Sequence, residues 1–402
     1  MMWGRMAAWC WVVGCVLLGG STLVWGAAWQ IQPGIETKGQ YSNNILNSPV
    51  IRKADYILSA RPSLALSYNS EVARIEGILA VLGLHYLHND NLDKINQYYN
   101  INANYKATPR LGLNLATAFI SDSTTNQELQ ASGVTIGRSL RTSFAAAPGL
   151  NFLLTERWST SLQYNFNVVN YQETIYNNYE THSLVHGFDY ALNERTSLLS
   201  RLTAYFSKYS NNNTITSLGP QIGFRHIYLE KWDFMVLGGV NFSRIKSDTR
   251  VLAVNNFTGF LEVRQRPQIA RSQSPFFTIE GGYRWQTGSL RLSYNRSQSA
   301  NAYGNQSQYN SFNFYTSQKL SERLTFSLNP YLNTSSISNP GSDYNSTYMG
   351  IRPGLSYRFT EKILLGTNYG FAYRSVSGTT RYRYPINEVF LTLSYSSPFH
   401  LD

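Results

Sequence analysis

From about Trp29 onward, apolar and polar positions alternate. In 363–374, Leu365, Thr367, Tyr369, Phe371 and Tyr373 share one parity, and Gly366, Asn368, Gly370, Ala372 and Arg374 the other. In 348–359, Met349, Ile351, Leu355, Tyr357 and Phe359 oppose Gly350, Arg352, Gly354, Ser356 and Arg358. In 111–119, Leu111, Leu113, Leu115 and Phe119 oppose Gly112, Asn114, Ala116 and Ala118. Successive side chains on a strand point to opposite faces, so each stretch predicts a strand with one large apolar face and one small or polar face. Such runs recur with a period of about 40 residues, which calls for a repeating array.

Each unit reads as two strands joined by a short turn and followed by a longer polar connection. The short turns share polar, charged chemistry: Thr108-Pro109-Arg110, Thr155-Glu156-Arg157, Asn193-Glu194-Arg195, Glu230-Lys231, Thr287-Gly288, Ser321-Glu322-Arg323 and Thr360-Glu361-Lys362, with Asn69-Ser70-Glu71 looser. The longer connections fall near 42–54, 88–93, 121–138, 173–178, 210–213, 247–270, 300–305, 337–344 and 376–383. Alternating short and long connections, with Tyr gathered toward strand ends, predict an all-β, transmembrane, antiparallel up-and-down barrel with periplasmic turns and extracellular loops. A soluble sandwich alternates too, but its core face has no use for an aromatic girdle. We expect about 18 strands, with 16 as the alternative, and both termini on the periplasmic side. Prolines recur in four descending strands, in Arg61-Pro62-Ser63-Leu64, Ala147-Pro148-Gly149-Leu150, Gly219-Pro220-Gln221-Ile222 and Arg352-Pro353-Gly354-Leu355. Proline cannot donate to a ladder; a bulge that bends the wall, or a hydrogen-bond gap near the outer rim, would each permit it.

Composition agrees with a lipid-facing wall. Charged residues are 14% of the 402, below the roughly 25% of soluble domains. There are 29 Tyr and 20 Phe, and no apolar run after residue 27 is long enough for a membrane helix. The start reads as a secretory signal: Arg5, an apolar stretch from Ala7 to Leu18, then small residues at Gly26, Ala27 and Ala28. We expect 1–27 to be removed and 28–402 to form one barrel domain in the cell outer membrane. Both cysteines, Cys10 and Cys15, lie in the signal, which leaves the mature chain without disulfides or cysteine chemistry. With strand one starting near Trp29, no plug domain or periplasmic module is expected.

The Pro-small-Leu/Ile segments, the Glu-Arg turns and the Arg-x-Leu-x-Leu-x-Tyr-like strands resemble the β-barrel porin families of type 2. They are also similar to outer-membrane proteins associated with exopolysaccharide and exosortase (PEP-CTERM) loci. The resemblance implies a porin-like or exporter-like outer-membrane channel of a Gram-negative bacterium, in contact with outer-membrane lipid and the barrel-assembly machinery. No functional residues carry over from it. The C-terminal segment departs from the pattern, because Pro398-Phe399-His400-Leu401-Asp402 follows the alternation ending at Tyr395.

The chain carries a formal charge of +11. By strand phase, Arg61, Arg141, Arg201, Arg225, Arg284, Arg291, Arg352, Arg358 and Arg374 fall on the lumen side, with Glu76, Asp189 and Glu280 the clearest acids there. Two readings compete. The arginines either favour anionic solutes or an acidic polysaccharide, or they pair with acids and brace the wall. Segment 247–270, with Arg250, Arg264 and Arg266, is expected to be the longest loop, either folded inward as a constriction or raised as a surface hairpin. His182 and His186 lie in opposite phase to Ser183 and Asp189, so no catalytic triad is expected. Neither a metal site at His85 and His88, nor any cofactor, nor a nucleic-acid partner is expected. The alternatives to a channel are a non-transport barrel whose loops bind a partner or matrix polysaccharide and, less favoured, an outer-membrane enzyme.

Overall fold

A computed structural model describes residues 28–48, 50–123, 139–254, 261–339, 342–377 and 381–401; at 28, 248–254, 261–267, 338–339, 342–344 and 400–401 the description is of backbone alone. The signal segment 1–27 lies outside the described residues. Eighteen strands form the wall. They are β1 (Ala28–Ser42), β2 (Asp55–Asn69), β3 (Ala73–Tyr86), β4 (Lys94–Lys106), β5 (Leu111–Asp122) and β6 (Arg141–Leu153). Next come β7 (Trp158–Tyr171), β8 (Tyr179–Asn193), β9 (Thr196–Tyr209), β10 (Thr214–Tyr228), β11 (Trp232–Val254) and β12 (Leu261–Trp285). The last are β13 (Gly288–Ala300), β14 (Gln306–Lys319), β15 (Leu324–Asn339), β16 (Ser342–Arg358), β17 (Ile363–Ser377) and β18 (Arg381–Ser396). Each pairs antiparallel with its sequence neighbour, and β1 pairs with β18 to close the ring. After a break at 397–398, a short β19 (Phe399–Leu401) continues the line of β18 beside Trp29–Ile31.

The register fixes the width. Following pairs from β1 through every strand and back returns to β1 about 22 residues along; with eighteen strands, that stagger sets a tilt of about 40° and a backbone radius of ~18 Å. Side chains reaching about 6 Å inward leave a bore of roughly 24 Å before any loop enters it.

Directly opposed residues share a face, so the register also sorts inside from outside. Outward go Leu58, Ile101, Leu113, Leu202, Ile222, Met349, Leu391 and Leu393, all well exposed. Two aromatic levels bound this apolar wall. At the short-turn end, Trp29 faces Tyr68, Trp158 faces Tyr190 and Trp232 faces Tyr283, with ring centroids 4.9, 4.2 and 4.1 Å apart. At the long-loop end, Tyr41 faces Tyr56 at 5.0 Å and Tyr99 faces Phe119 at 5.8 Å. Trp29 and Tyr41 are about twelve residues apart on β1, or roughly 30 Å along the barrel axis at this tilt, which is the thickness of a hydrocarbon core. The strand count is therefore 18, not 16, and the outer face is that of a membrane-spanning barrel.

The repeated prolines share one solution. Pro62, Pro148, Pro220 and Pro353 all point outward and keep a partner on the preceding strand: Ile35, Leu115, Leu202 and Leu328. Toward the following strand, pairing stops for two residues and resumes in unchanged register, for example from Leu218↔Phe242 to Gln221↔Gly239. No residue is inserted. The prolines occupy hydrogen-bond gaps, not bulges.

Segment 247–270 is mostly not a loop. β11 and β12 stay paired from Ser247↔Gln268 out to Val254↔Leu261. Strand beyond the membrane is wetted on both faces, so apolar-polar alternation fades there while the backbone ladder continues. The side chains of Arg250, Arg264 and Arg266 lie outside the described part of the structure. Much of 337–344 and 376–383 is likewise strand.

Candidate functional site

The lumen and its long-loop mouth form the candidate site. All nine arginines singled out in the sequence fall on the inward parity of the register, but they do not form one ring. Arg201 is engaged by Asp189, with Nη2 3.1 Å from Oδ2. Arg225 grips Asp233 through two hydrogen bonds of 2.9 and 2.6 Å. Arg352 lies 4.0 Å from Glu388 and 5.5 Å from the centroid of the inward-facing Phe390. Arg61 stands opposite Glu36 and over the Tyr98 ring at 5.8 Å. Arg141 stands opposite Asp122 and is 6% exposed. Arg374 is wholly buried. Arg284, Arg291 and Arg358 are exposed toward the short-turn end and make no ion pair of their own among the described residues. The first two lie near Asp233, which Arg225 already holds.

Several lumen charges escaped the sequence reading. Glu36, Lys38, Asp55, Asp122, Asp233 and Glu388 face inward beside the expected acids. Lys38 lies 4.9 Å from the Phe390 centroid, and Gln40 donates to Glu388 at 3.1 Å. A polar row of Asn96, Asn100, Asn102 and Asn104 lines β4. Glu388 sits on a strand whose outward face reads clearly, but Tyr384, Ile386 and Phe390 make its inward face look apolar as well.

Among the described residues, two connections turn into the mouth. The tip 300–305, between β13 and β14, leaves the wall beyond Phe277↔Arg296, the last pair joining β12 to β13. It then crosses about a quarter of the ring to reach the loops after β7 and β9. Asn177 N–H donates to Ala302 O at 2.7 Å, Tyr209 Oη donates to Asn305 O at 2.8 Å, and Asn213 Nδ2 donates to Gly304 O at 2.9 Å. Below the tip, Gln298 Oε1 accepts from Asn241 Nδ2 at 2.5 Å and from Ser243 Oγ at 2.8 Å on β11. Ala300 and Ala302 pack into a buried cluster with Tyr176, Tyr179, Tyr209 and Ile215. Gly304 has φ +77, and a Cβ there would stand 2.6 Å from Asn211 Nδ2. A larger residue there would need both a left-handed backbone and a shift of the Asn211 amide, which glycine avoids.

The second inward fold is the loop after β1. Asn47 O accepts from Tyr384 Oη at 2.7 Å and from Arg374 Nη1 at 3.4 Å. Asn43 Oδ1 accepts from Asn387 N–H at 2.9 Å. Arg374 is thus walled in beneath this loop beside Tyr348, whose ring lies 5.9 Å from its guanidinium carbon. The two folds occupy nearly opposite arcs of the rim and narrow the mouth from both sides. Of the two readings of 247–270, the β11–β12 pairing fits the raised hairpin, and an inward fold is found instead at 300–305. The legible signal was its small residues, Ala300, Ala302 and Gly304, in a connection otherwise rich in Asn and Tyr.

The histidines serve locally. His182 and His186 face outward, His182 Nδ1 lying 2.6 Å from Tyr164 Oη and His186 Nε2 3.0 Å from Thr160 Oγ1, while Asp189 faces inward. The four residues do not converge. His85 and His88 contact different carboxylates, Asp93 at 2.7 Å and Asp55 at 2.9 Å. Among the described residues, no group of three metal-ligating side chains comes together.

The sequence matches no protein-family model and no curated protein. Neither family it resembles in pattern is therefore matched. Among solved structures, it is similar to Pseudomonas aeruginosa OccK7 (OpdD) at 11% identity and TM-score 0.45, covering 94% of this chain and 100% of that one. It is similar also to the P. aeruginosa outer membrane protein opdK (9%, TM-score 0.44, covering 92% and 99%) and Acinetobacter baumannii OccAB3 (11%, TM-score 0.42, covering 94% and 100%). The barrel assignment rests on the strand register, not on these likenesses.

Proposed function

We propose that this chain is an outer-membrane channel that passes small hydrophilic solutes by diffusion, with a bias toward anions. The supporting observation is the width: a closed eighteen-strand wall is too wide for its own side chains to fill, and barrels of that size hold water. The short turns then face the periplasm and the long connections the exterior. Selection is steric at the mouth, where 43–48 and 300–305 project inward, and electrostatic along the wall. The anion bias rests on Arg284, Arg291 and Arg358, since most of the other arginines are placed to brace the wall. Reversal potentials under a salt gradient test it. Anion preference that falls when these three become Gln supports the reading, and cation preference of the unmodified protein contradicts it. An acidic polysaccharide strand is the extended form of the same substrate class. Block of the conductance by a soluble polyuronate, lost in the same triple variant, would favour it.

A further inference from the structure

The outer face of the wall carries a second charged feature, separate from the lumen. Arg244 on β11 lies directly opposite Arg271 on β12, and both point outward and are exposed. Lys246 follows two residues beyond Arg244 on the same face, and Lys208 on β9 flanks it across Thr214. Like charges directly opposed on a sheet destabilise the pair unless an anion sits between them. Arg244, Lys246 and Arg271 have no acidic partner among the described residues; Lys208, at the edge, faces Glu180. The short-turn end differs, because its turns set Glu beside Arg or Lys, as in Glu156-Arg157 and Glu361-Lys362.

Height matters as much as charge. Phe206 and Phe242 face outward at the upper aromatic level. Arg244 and Arg271 stand about 5 Å above it and Lys246 about 10 Å above, where lipid headgroups begin. Arg244 and Arg271 themselves line an open hollow of ≈ 380 Å³, together with Thr216, Leu218, Phe242 and Gln273. Apolar Leu218 and Phe242 form its lower part, and the cations with Thr216 and Gln273 form its upper part. That gradient matches a lipid whose acyl chains lie below and whose phosphates lie above. Arginine binds phosphate oxygens bidentately, which suits two guanidiniums side by side.

We infer that this face binds a phosphorylated glycolipid of the outer leaflet, with Arg244 and Arg271 clamping one phosphate and Lys246 supporting it. The inference rests on the outer-membrane reading above.

The test uses the full-length barrel refolded from denaturant into detergent, free of cellular lipid, and titrated with bis-phosphorylated lipid A under native mass spectrometry. Retention of the lipid should weaken about tenfold or more in Arg244→Gln/Arg271→Gln and stay unchanged in Arg157→Gln/Arg195→Gln at the opposite end. Lipid A stripped of both phosphates should not be retained. Gel mobility without heating verifies that each variant is folded, and Lys246→Gln, a milder change, should give an intermediate loss. Equal retention by the double variant, or equal binding of the dephosphorylated lipid, overturns the inference. Displacement by equimolar inorganic phosphate also overturns it, by assigning the site to a soluble anion. Conductance in pure phospholipid bilayers separates the two claims: a conducting barrel without lipid preference leaves the channel standing and this site refuted.

Discussion

At the residue scale, the same side-chain type takes roles that only the third dimension separates. Nine arginines share a lumen phase, yet Arg201 and Arg225 are held by Asp189 and Asp233, Arg374 is buried under Asn47, and Arg284, Arg291 and Arg358 stay open. Phase was legible because strand parity is strict. Pairing was not, because Asp233 and Glu388 join the arginines through register between strands rather than through spacing along one. Removing a brace should therefore act on selectivity. Asp233→Asn frees Arg225 beside Arg284 and Arg291, and we expect reversal potentials to move toward stronger anion preference. A shift toward cations would show that this cluster does not face the conducting path. Gly304→Val meets Asn211 and a left-handed backbone together. It should undock the 300–305 tip, giving larger or noisier single-channel steps while leaving the unheated gel mobility of a folded barrel intact.

At the scale of the element, the strands were readable wherever one face meets lipid and lost where neither does. That explains why the sequence makes 247–270 a loop although β11 and β12 pair through much of it. It also explains why the Asn- and Ala-bearing tip at 300–305 showed its small residues but not its destination, since docking on Tyr209 and Asn213 depends on strands four and three positions away in the ring. Two deletions separate the segments. Replacing 300–305 by a two-residue turn should raise conductance, whereas removing 251–263 should leave it unchanged; the reverse result would return the constriction to β11–β12. Parity itself is testable on β18, where Leu393 points outward and Ser394 inward opposite Glu36. Leu393→Arg should cost about 2–4 kcal/mol in reversible denaturant unfolding from lipid, and Ser394→Arg much less. Similar costs at both positions would mean that the register is wrong by one residue.

For the whole molecule, a stagger of about 22 residues over eighteen strands matters more than any single contact, because it sets a ~18 Å radius that wall side chains cannot close. Sequence periodicity came close to this, predicting about 18 strands; closure and stagger required the pairing of β1 with β18. Among the described residues, 43–48 and 300–305 narrow that bore at the mouth. The most direct test is single-channel recording of the purified barrel in a planar phospholipid bilayer, with neutral polymers of increasing size added to both sides. Ohmic steps that scale with salt and fall only when the polymer is small enough to enter the bore are expected of an open channel. A folded, inserted barrel with no step conductance, before and after deletion of 300–305, would contradict it.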